Sequence, residues 1–301
     1  MTDRPPTGVM TRQEPGIRRI IAPNPSPMTY WGTNTFVLGE GDVAVIDPGP
    51  ADPTHMKAIL SGLQRGERVT HILVTHAHLD HSPLARPLSD ATGAPVMAFG
   101  DAQSGRSEIM RDLVARGLTS GGEGVDTGFR PDILLEDGEV FRAAGLEVEA
   151  IWTPGHFSNH ISFAWQDIVF TGDHVMGWAS SLVSPPDGDL TAFMASCAKL
   201  AARKDRLYLP AHGASIPDPA ARLAWLIAHR QSRETEILTA LSDGRPASVR
   251  TLTRAIYTDT QTTLIPAAER NVFAHLIDLA MRKIVTAEPH LDANADFRRI
   301  D

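Results

Sequence analysis

The stretch Thr75-His76-Ala77-His78-Leu79-Asp80-His81 carries three histidines and one carboxylate within the six residues that follow Thr75. The apolar, β-branched run before it, residues 69–75, predicts a buried strand. Ser82-Pro83 comes next and favours a helix start, because proline is accepted in the first helical turn. The cluster therefore lies on a strand-to-helix turn, where its side chains can converge. Imidazole and carboxylate groups are the ligands of a borderline cation such as Zn²⁺, and a solvated polar loop is the alternative.

Length and composition limit what kind of protein this can be. The 301 residues suffice for one large domain, or for a large domain with a small one. With 28 Lys+Arg against 36 Asp+Glu, the net charge of −8 argues against a surface for indiscriminate nucleic-acid binding. No apolar run has the length of a signal peptide or membrane span, so we expect a cytoplasmic protein without membrane contact. The single cysteine, Cys197, excludes intrachain disulfides, and its helical surroundings favour packing over a nucleophilic role.

The order of elements predicts an α/β (α+β) fold with a mixed sheet covered by helices. Residues 1–15 are rich in Pro, Thr and Arg, and we expect them to be poorly ordered. Residues 39–42 join the first two predicted strands as a hairpin turn. Predicted strands are residues 33–38, 43–46, 95–98, 140–141, 146–152, 161–165, 167–171 and 207–209, and predicted helices are 55–64, 82–92, 107–117 and 190–203.

Residues 100–130 form a polar, glycine-dotted insertion around the helix predicted at 107–117. Long, weakly patterned insertions often cover a functional site. A mobile surface loop is the alternative, and the sequence does not decide between them.

After about residue 216 the pattern becomes helical, and we predict a catalytic domain of residues 16–216 followed by a helical domain of residues 217–301. Helices are predicted at 220–241, 248–257 and 266–283. Six arginines of this segment would form a basic face for RNA, or else an ion-paired, solvated surface with their acidic neighbours. The arginines are Arg222, Arg230, Arg233, Arg245, Arg250 and Arg254, and the acidic neighbours are Glu234, Glu236 and Asp243.

Three later segments share one form, a strand followed by a glycine and by His or Asp at the exit. Strand ends at one edge of a sheet commonly form sites, and a carboxylate can bridge two ions. A lone His or Asp beside Gly is usually a turn, but the recurrence favours a two-metal centre. The segments are Ile151-Trp-Thr-Pro-Gly-His156, Val169-Phe-Thr-Gly-Asp173 and Leu207-Tyr-Leu-Pro-Ala-His212-Gly213. The seven candidate ligands are His76, His78, Asp80, His81, His156, Asp173 and His212.

Other polar residues lie near these segments. Asp47, at a strand end, is either a turn former or a buried partner of a metal ligand. His160 and His174 adjoin ligand segments and are candidates for contacts behind the metals or with substrate. The histidines outside any motif are interpreted as surface or packing residues: His55, His71, His229, His275 and His290.

The motif His76-Ala-His-Leu-Asp-His81 resembles that of the metallo-β-lactamase superfamily, and the resemblance covers residues 18–215. Thr153-Pro-Gly-His156, Thr171-Gly-Asp173 and Pro210-Ala-His212-Gly follow in the same order. The resemblance implies an αββα sandwich with two Zn²⁺ ions at one sheet edge, with iron or manganese as a substitute at one of them. It assigns His76, His78 and His156 to one ion. It assigns Asp80, His81 and His212 to the other, with Asp173 bridging and Asp47 just behind.

Four further stretches resemble the superfamily branch that contains β-lactamase-like protein 2. They are residues 24–35, 172–178, 184–189 and the Arg/Glu-rich helix at 230–238. This resemblance implies a small winged-helix-like domain after the hydrolase domain, and in some members cleavage of single-stranded RNA. The chain departs from the branch at Phe157-Ser-Asn159, where a Thr-Pro-Gly run is frequent, and this alters the pocket wall rather than the metals.

The expected chemistry is hydrolysis by a dinuclear zinc enzyme. Two ions about 3.5–4 Å apart share a bridging hydroxide that acts as the nucleophile, and we expect Asp80 to orient it and take part in proton transfer. The fold leaves the substrate open. The branch favours a phosphodiesterase or endoribonuclease acting on RNA or a nucleotide. The acidic chain favours a hydrolase of small acyl thioesters, lactones or β-lactams, similar to glyoxalase II or a lactonase, whose C-terminal domain serves a homodimer or another partner.

Overall fold

A seven-stranded mixed sheet forms one half of the sandwich in the computed structural model, which describes residues 4–119 and 124–300. Its strands lie in chain order. The first four are antiparallel neighbours, and the pairs from the fourth to the seventh are parallel. The strands are β1 (Thr11–Glu14), β2 (Ile17–Ile21), β3 (Asn34–Glu40), β4 (Asp42–Ile46), β5 (Arg68–Leu73), β6 (Val96–Ala98) and β7 (Ile133–Leu134).

A five-stranded sheet forms the other half, in the order β12-β11-β10-β9-β8. Its pairs are antiparallel except β11 with β12, which is parallel. The strands are β8 (Val140–Ala143), β9 (Leu146–Trp152), β10 (Ile161–Trp165), β11 (Ile168–Gly172) and β12 (Leu207–Pro210).

Side chains alternate between the two faces of each strand, and this explains why the sandwich has a central core and two outer apolar layers. In β3, Phe36 and Leu38 face the core between the sheets, whereas Val37 faces the outer side. In β11, Phe170 faces the same central core while Val169 faces outwards. Because successive side chains point to opposite faces of a strand, strands that are apolar on both faces must be covered on both faces.

Helices provide the outer cover on each side. Helices α1 (Pro53–Ser61) and α2 (Ala85–Thr92) cover the seven-stranded sheet, and α4 (Leu190–Ala201) covers the five-stranded sheet. The order helix, sheet, sheet, helix confirms the predicted αββα sandwich. Cys197 lies in α4 with its side chain fully buried, as a packing residue would.

The remaining elements form a C-terminal unit, a name used below for residues 219–300. It contains α5 (Pro219–Ala240), α6 (Val249–Ile256), a 3-10 turn (Thr262–Leu264) and α7 (Ile265–Met281). A small sheet of β13 (Ala247–Ser248), β15 (Asp296–Arg299) and β14 (Val285–Glu288) completes it. The three helices agree with the sequence pattern, but this sheet was not predicted, since strands of two to four residues carry little periodicity.

Helix α5 packs on both parts of the molecule. Its Leu223 and Leu226 lie in the cluster that covers the five-stranded sheet, and Ile237 lies in the core of the C-terminal unit. The predicted boundary at residues 216–217 therefore falls just before a helix that the two parts share.

One expectation differs from what is observed, and one alternative that the sequence left open is not supported. The segment of residues 1–15 was expected to be poorly ordered, but Thr11–Glu14 forms the edge strand β1, paired with β2. Backbone pairing orders this strand without apolar side chains. In the 100–130 insertion, α3 (Glu108–Ala115) packs Met110 and Leu113 into the core of the C-terminal unit, so this part is no mobile loop. Among the described helices, none has the length and apolarity to cross a membrane.

Candidate metal centre

Four strand ends bring the seven candidate ligands to one edge of the sandwich. This edge lies where β5, β9, β11 and β12 finish, so the side chains after them meet. Six of the seven are buried and Asp80 is partly exposed. The ligands are His76, His78, Asp80 and His81 after β5, His156 after β9, Asp173 after β11 and His212 after β12.

The first group consists of His76, His78 and His156. The Nε2 atom of His76 lies 2.9 Å from Nδ1 of His78, and Nε2 of His156 lies 3.2 Å from the same atom. Nitrogens bound tetrahedrally at about 2.0–2.1 Å from zinc would be roughly 3.3 Å apart. The spacing of these three nitrogens therefore suits one cation.

The second group consists of Asp80, His81 and His212. Oδ2 of Asp80 lies 3.3 Å from Nε2 of His81 and 3.2 Å from Nε2 of His212. A carboxylate and two imidazoles thus converge in the same way as the first group.

Asp173 lies between the two groups. Its Oδ2 is 3.7 Å from Nε2 of His156 and 3.6 Å from Nε2 of His81, while its Oδ1 is 3.3 Å from Nε2 of His212. One carboxylate therefore faces histidines of both groups, which is the position that the predicted bridging role requires.

Four of the five histidines are oriented by a hydrogen bond at Nδ1. Such a bond places the proton on Nδ1 and leaves the Nε2 lone pair for a metal. The partners are Oγ1 of Thr75 for His76 (2.9 Å), Oδ2 of Asp47 for His81 (3.0 Å), the carbonyl of Leu182 for His156 (2.7 Å) and the carbonyl of Gly32 for His212 (3.3 Å).

Two buried atoms test whether a metal fits. Nε2 of His81 and Oδ1 of Asp173 are buried and have no hydrogen-bond partner in the described part of the chain. An unpaired buried polar atom costs free energy, and a cation at this point would satisfy both atoms. Since imidazole suits Zn²⁺ and Fe²⁺, and carboxylate suits Mn²⁺ as well, the donor set fits divalent cations.

The two groups differ in protonation. Burial lowers the pKa of His78 to about 3 and lowers the pKa of His76 well below its usual value. In the second group burial also acts against charge, but Asp173 and Asp80 raise the pKa of His212 to about 10. Without a cation, the first group is therefore a set of neutral imidazoles, whereas the second carries paired charges. A cation bound by His212 would displace the proton from its Nε2.

Asp47 lies behind the second group. Its carboxylate accepts hydrogen bonds from the backbone N–H and the hydroxyl of Thr75, both at 2.7 Å, and from Nδ1 of His81. It is 2 % exposed. These contacts favour the interpretation of Asp47 as a buried partner of a candidate ligand over that of a simple turn former.

His160 and His174 occupy different surroundings. Nε2 of His160 accepts a hydrogen bond from the backbone N–H of Asp173 at 3.2 Å, and a Cβ added at Gly172 would lie only 2.4 Å from that nitrogen. Gly172, with φ of +49°, thereby permits this close approach. His174 instead packs against Phe193 and lies 3.6 Å from Sγ of Cys197, so it has the contacts of a core residue.

Sequence analysis missed several supporting groups. His55 was interpreted as a surface or packing residue, but its Nε2 lies 2.8 Å from Oγ1 of Thr35, which donates to the carbonyl of Asp47 at 2.7 Å. The carbonyls of Leu182 and Gly32 had no sequence signal, because every residue type carries one. The insertion also reaches the motif, since the carbonyl of Gly124 accepts a hydrogen bond from the N–H of Leu79 at 2.7 Å.

A cavity of about 550 Å³ opens beside the candidate ligands. Both parts of the molecule line it, and the wall from the C-terminal unit comes from the 3-10 turn and the start of α7. The lining residues from the sandwich, besides the ligands, are Ser26, Pro27, Met28, Met176 and Leu182. Those from the C-terminal unit are Thr263, Leu264, Pro266, Ala267, Glu269 and Arg270.

Comparison with known families agrees with this arrangement. The model of the metallo-β-lactamase superfamily matches residues 28–212, and that of the β-lactamase-associated winged helix domain matches residues 248–291. The chain belongs to the metallo-β-lactamase superfamily. A winged helix domain follows the superfamily domain, as the motifs predicted.

Relatives within the superfamily carry several names. The lactamase-like protein adaB of Aspergillus niger is 30% identical, over 76% of this chain and 65% of its own length. The chain thus spans slightly less than two thirds of that relative. The atrochrysone carboxyl ACP thioesterase AgnL7 of Paecilomyces divaricatus is 31% identical, over 81% and 72%. The β-lactamase-like protein 2 homolog of Drosophila melanogaster is 29% identical, over 90% and 89%, which confirms the predicted resemblance to that branch.

Solved structures share the fold across nearly the whole chain. A β-lactamase domain protein from Burkholderia ambifaria has a TM-score of 0.80 at 21% identity, covering 99% of this chain and 96% of its own. A metallo-β-lactamase family protein from Thermus thermophilus has a TM-score of 0.75 at 23% identity, covering 95% and 99%. The shared architecture therefore includes the C-terminal unit.

Proposed function

We propose that this superfamily member is a two-metal hydrolase of acyl thioesters that carry an apolar acyl group. The seven candidate ligands would hold two divalent cations, Zn²⁺ first, with iron or manganese as a substitute at one site. The observation that carries the proposal is the apolar wall facing the ligands, which includes Met28, Leu182, Leu264 and Ala267.

A second cavity extends this wall. It has a volume of about 240 Å³ and is adjacent to the first, sharing six lining residues with it. Trp178 and Tyr257 are among its other lining residues. Ligand sites are typically concave and mostly apolar with a few polar groups, so the two cavities together suit an elongated apolar group whose reacting carbonyl lies at the ligands.

The charge of the lining argues against a nucleic-acid substrate. Among the described residues around the two cavities, Arg270 is the single Lys or Arg, and Glu269 lies beside it. Nucleic-acid binding depends on several Lys or Arg contacts to phosphates. The cavity next to the candidate metals therefore offers little to a polyanion.

Three of the six arginines, those on α5, make contacts within the molecule, whereas Arg245, Arg250 and Arg254 are exposed. Arg222 donates to the carbonyls of Met176 and Ala179, both at 2.6 Å, and Arg230 is buried. Arg233 pairs with Glu236. These contacts favour the interpretation of an ion-paired and packed helix over that of a basic face for RNA.

The names of two relatives point the same way. AgnL7 and dmxR1, 31% and 30% identical to this chain, are both named atrochrysone carboxyl ACP thioesterases. Thioester hydrolysis is the activity that both names state, and this supports the proposal.

Asp80 is the residue that we propose for proton transfer. When bound, two divalent cations supply an activated water and polarise the carbonyl oxygen of the substrate. Burial alone would raise the pKa of Asp80, but His81 and His212 hold it well below its usual range, so the carboxylate is ionised at neutral pH. Its side chain is 26% exposed and lines the cavity, where it can orient a water and accept its proton.

The protonation that the leaving group requires also favours a thioester over a phosphodiester. As the new C–O bond forms, the C–S bond breaks, and the thiolate leaves with its electron pair. A thiol with a pKa near about 8.5 needs less protonation on leaving than an alkoxide does. No Lys or Tyr lies in the described lining of the first cavity to act as a general acid. The geometry thus suits an activated ester better than an RNA phosphodiester.

A substrate panel on metal-loaded protein tests the proposal. The panel contains acetyl-, octanoyl- and benzoyl-pantetheine, an RNA oligonucleotide, bis-p-nitrophenyl phosphate, a lactone and a β-lactam. We expect kcat/KM for octanoyl-pantetheine to exceed that for each phosphodiester by at least about 100-fold. The Asp173→Ala protein supplies the background rate. A preference for RNA or bis-p-nitrophenyl phosphate would instead support the phosphodiesterase that the branch resemblance favoured.

A further inference from the structure

Arg230 of α5 is a buried cation in an unusual setting. It is 2 % exposed, its guanidinium carbon lies 5.0 Å from the ring centroid of Phe193, and its Nε has no hydrogen-bond partner in the described part of the chain. Its Nη1 donates to Oδ1 of Asn271 at 3.1 Å, and its Nη2 donates to the carbonyl of Ser181. None of these partners carries a negative charge, so within the described residues no ion pair offsets the cost of burying the guanidinium.

One segment, residues 181–185, makes hydrogen bonds with Arg230, Asn271 and Arg270, and we name it loop 181–185. Oδ1 of Asn271 in α7 accepts from the N–H of Val183 at 3.1 Å as well as from Arg230. Nε of Arg270 donates to Oγ of Ser184 at 2.9 Å, and its Nη2 donates to the carbonyl of Pro185. Two helices of the C-terminal unit thereby fix a loop of the sandwich.

The same loop touches two of the candidate ligands. The carbonyl of Leu182 accepts the hydrogen bond from Nδ1 of His156 at 2.7 Å. The hydroxyl of Ser181 donates to the carbonyl of Asp173 at 2.5 Å. One short loop thus lies between the C-terminal unit and the candidate metal centre.

We infer that Arg230 and Asn271 are positioning residues for the metal centre, which they act on through loop 181–185. They hold the carbonyl of Leu182 where it fixes the tautomer and ring orientation of His156. The inference rests on the metal-binding part of the proposed function and is independent of the thioester substrate. The C-terminal unit would then help to orient His156, in addition to any role in selecting substrate.

A larger effect is expected on the first group than on the second, because loop 181–185 contacts the side chain of His156 but only the backbone carbonyl of Asp173. His81 and His212 are oriented by Asp47 and by the carbonyl of Gly32, which belong to the sandwich and make no described contact with Arg230. Loss of the contacts that Arg230 and Asn271 make should therefore weaken the cation of the first group much more than that of the second.

Arg230→Met in the full chain provides the test, because methionine fills the buried volume without a charge. Metal-free protein is titrated with Co²⁺, and binding is followed by calorimetry and by the visible absorption spectrum. We expect one equivalent to bind about tenfold more weakly than in the wild type, with an altered spectrum, and the other to change much less. Arg233→Met is the matched control, since Arg233 lies on the same helix and pairs with Glu236.

Two substitutions of Asn271 keep the test decisive if Arg230→Met does not fold. Asn271→Asp retains the acceptor oxygen and should bind both equivalents as the wild type does, whereas Asn271→Leu should reproduce the loss of one. Unchanged Co²⁺ binding in Asn271→Leu would overturn the inference. An equal weakening of both equivalents, with a lowered Tm, would also overturn it, because that result describes a merely structural role. If wild-type protein binds Co²⁺ yet cleaves no thioester, the substrate proposal fails while the inference stands.

Discussion

The two candidate metal-binding groups lie side by side but are supported by different parts of the molecule. His156 of the first group is oriented by loop 181–185, which the C-terminal unit holds. His81 and His212 of the second are oriented by groups of the sandwich itself. Without a cation, the first group consists of neutral imidazoles, while the second carries paired charges. The two groups, called the two halves of the centre below, can therefore be altered separately. Asp173 is the candidate ligand that faces both halves.

The largest effect is expected where the halves meet. Asp173→Ala removes the carboxylate that faces both groups, so we expect it to lower kcat/KM by at least roughly 10³-fold and to reduce the bound metal. The fold should remain, which circular dichroism and Tm will check. Turnover within a few-fold of the wild-type rate would show that Asp173 does not join the two groups.

Asp80→Asn should affect the second group alone. The substitution keeps the shape and removes the charge that faces the cavity, so kcat should fall about 10²–10⁴-fold. One metal equivalent should bind more weakly while the other is retained. Cys197→Ser is the control, since this buried thiol contacts His174 and lies outside both groups, and it should leave kcat unchanged.

Asp47→Asn should have a smaller effect on the same half. Asp47 accepts the hydrogen bond from Nδ1 of His81, and loss of such a partner typically costs about 10–100-fold in metal affinity. We expect the second equivalent to weaken by this factor in a Co²⁺ titration. Asp47 also accepts from the hydroxyl of Thr75, whose Oγ1 faces Nδ1 of His76, so a smaller weakening of the first equivalent is expected. A larger weakening of the first equivalent than of the second would contradict the separation of the halves.

The C-terminal unit should lose stability in acid through His275. This residue of α7 is buried with neither ring nitrogen hydrogen-bonded within the described residues, and burial, followed by Arg230, lowers its pKa to about 3. In the unfolded chain it titrates near 6.5, so its contribution to stability is complete above that pH and falls as the pH drops from about 6.5 towards 3.

His275→Leu should remove this pH dependence. Between pH 7.5 and 5.5, urea denaturation of metal-loaded protein should show the wild type losing about 1.4 kcal/mol more than the variant. The exposed His290 gives the control, because His290→Leu should lose as much as the wild type. An identical loss in His275→Leu and in the wild type would show that His275 does not titrate in this way.

The candidate ligands could be predicted from the sequence because each is a side chain with a distinctive chemistry at a strand exit. His76 to His81 carried the motif, and His156, Asp173 and His212 recurred in the same setting. The supports were harder to predict. Leu182 and Gly32 act through backbone carbonyls, and Arg230 acts across 49 residues of chain on Ser181. No local pattern encodes such contacts.

The remaining differences between the predicted and the observed fold also arise where local sequence patterns are weak or where contacts join residues far apart in the chain. Strand β1 and the small sheet β13–β15 are ordered by backbone pairing and by a few apolar residues such as Phe297, so their periodicity is weak. Helix α3 was predicted, but its packing on the C-terminal unit depends on Met110 and Leu113 meeting residues far along the chain.

The metal content of the protein decides whether the seven candidate ligands bind two metal ions. Protein purified without chelator is analysed for zinc, iron and manganese, beside Asp173→Ala prepared in the same way. Seven converging ligands predict close to two equivalents per wild-type chain and a clear loss in the variant. A content near zero that added Zn²⁺, Fe²⁺ or Mn²⁺ does not raise would contradict the account.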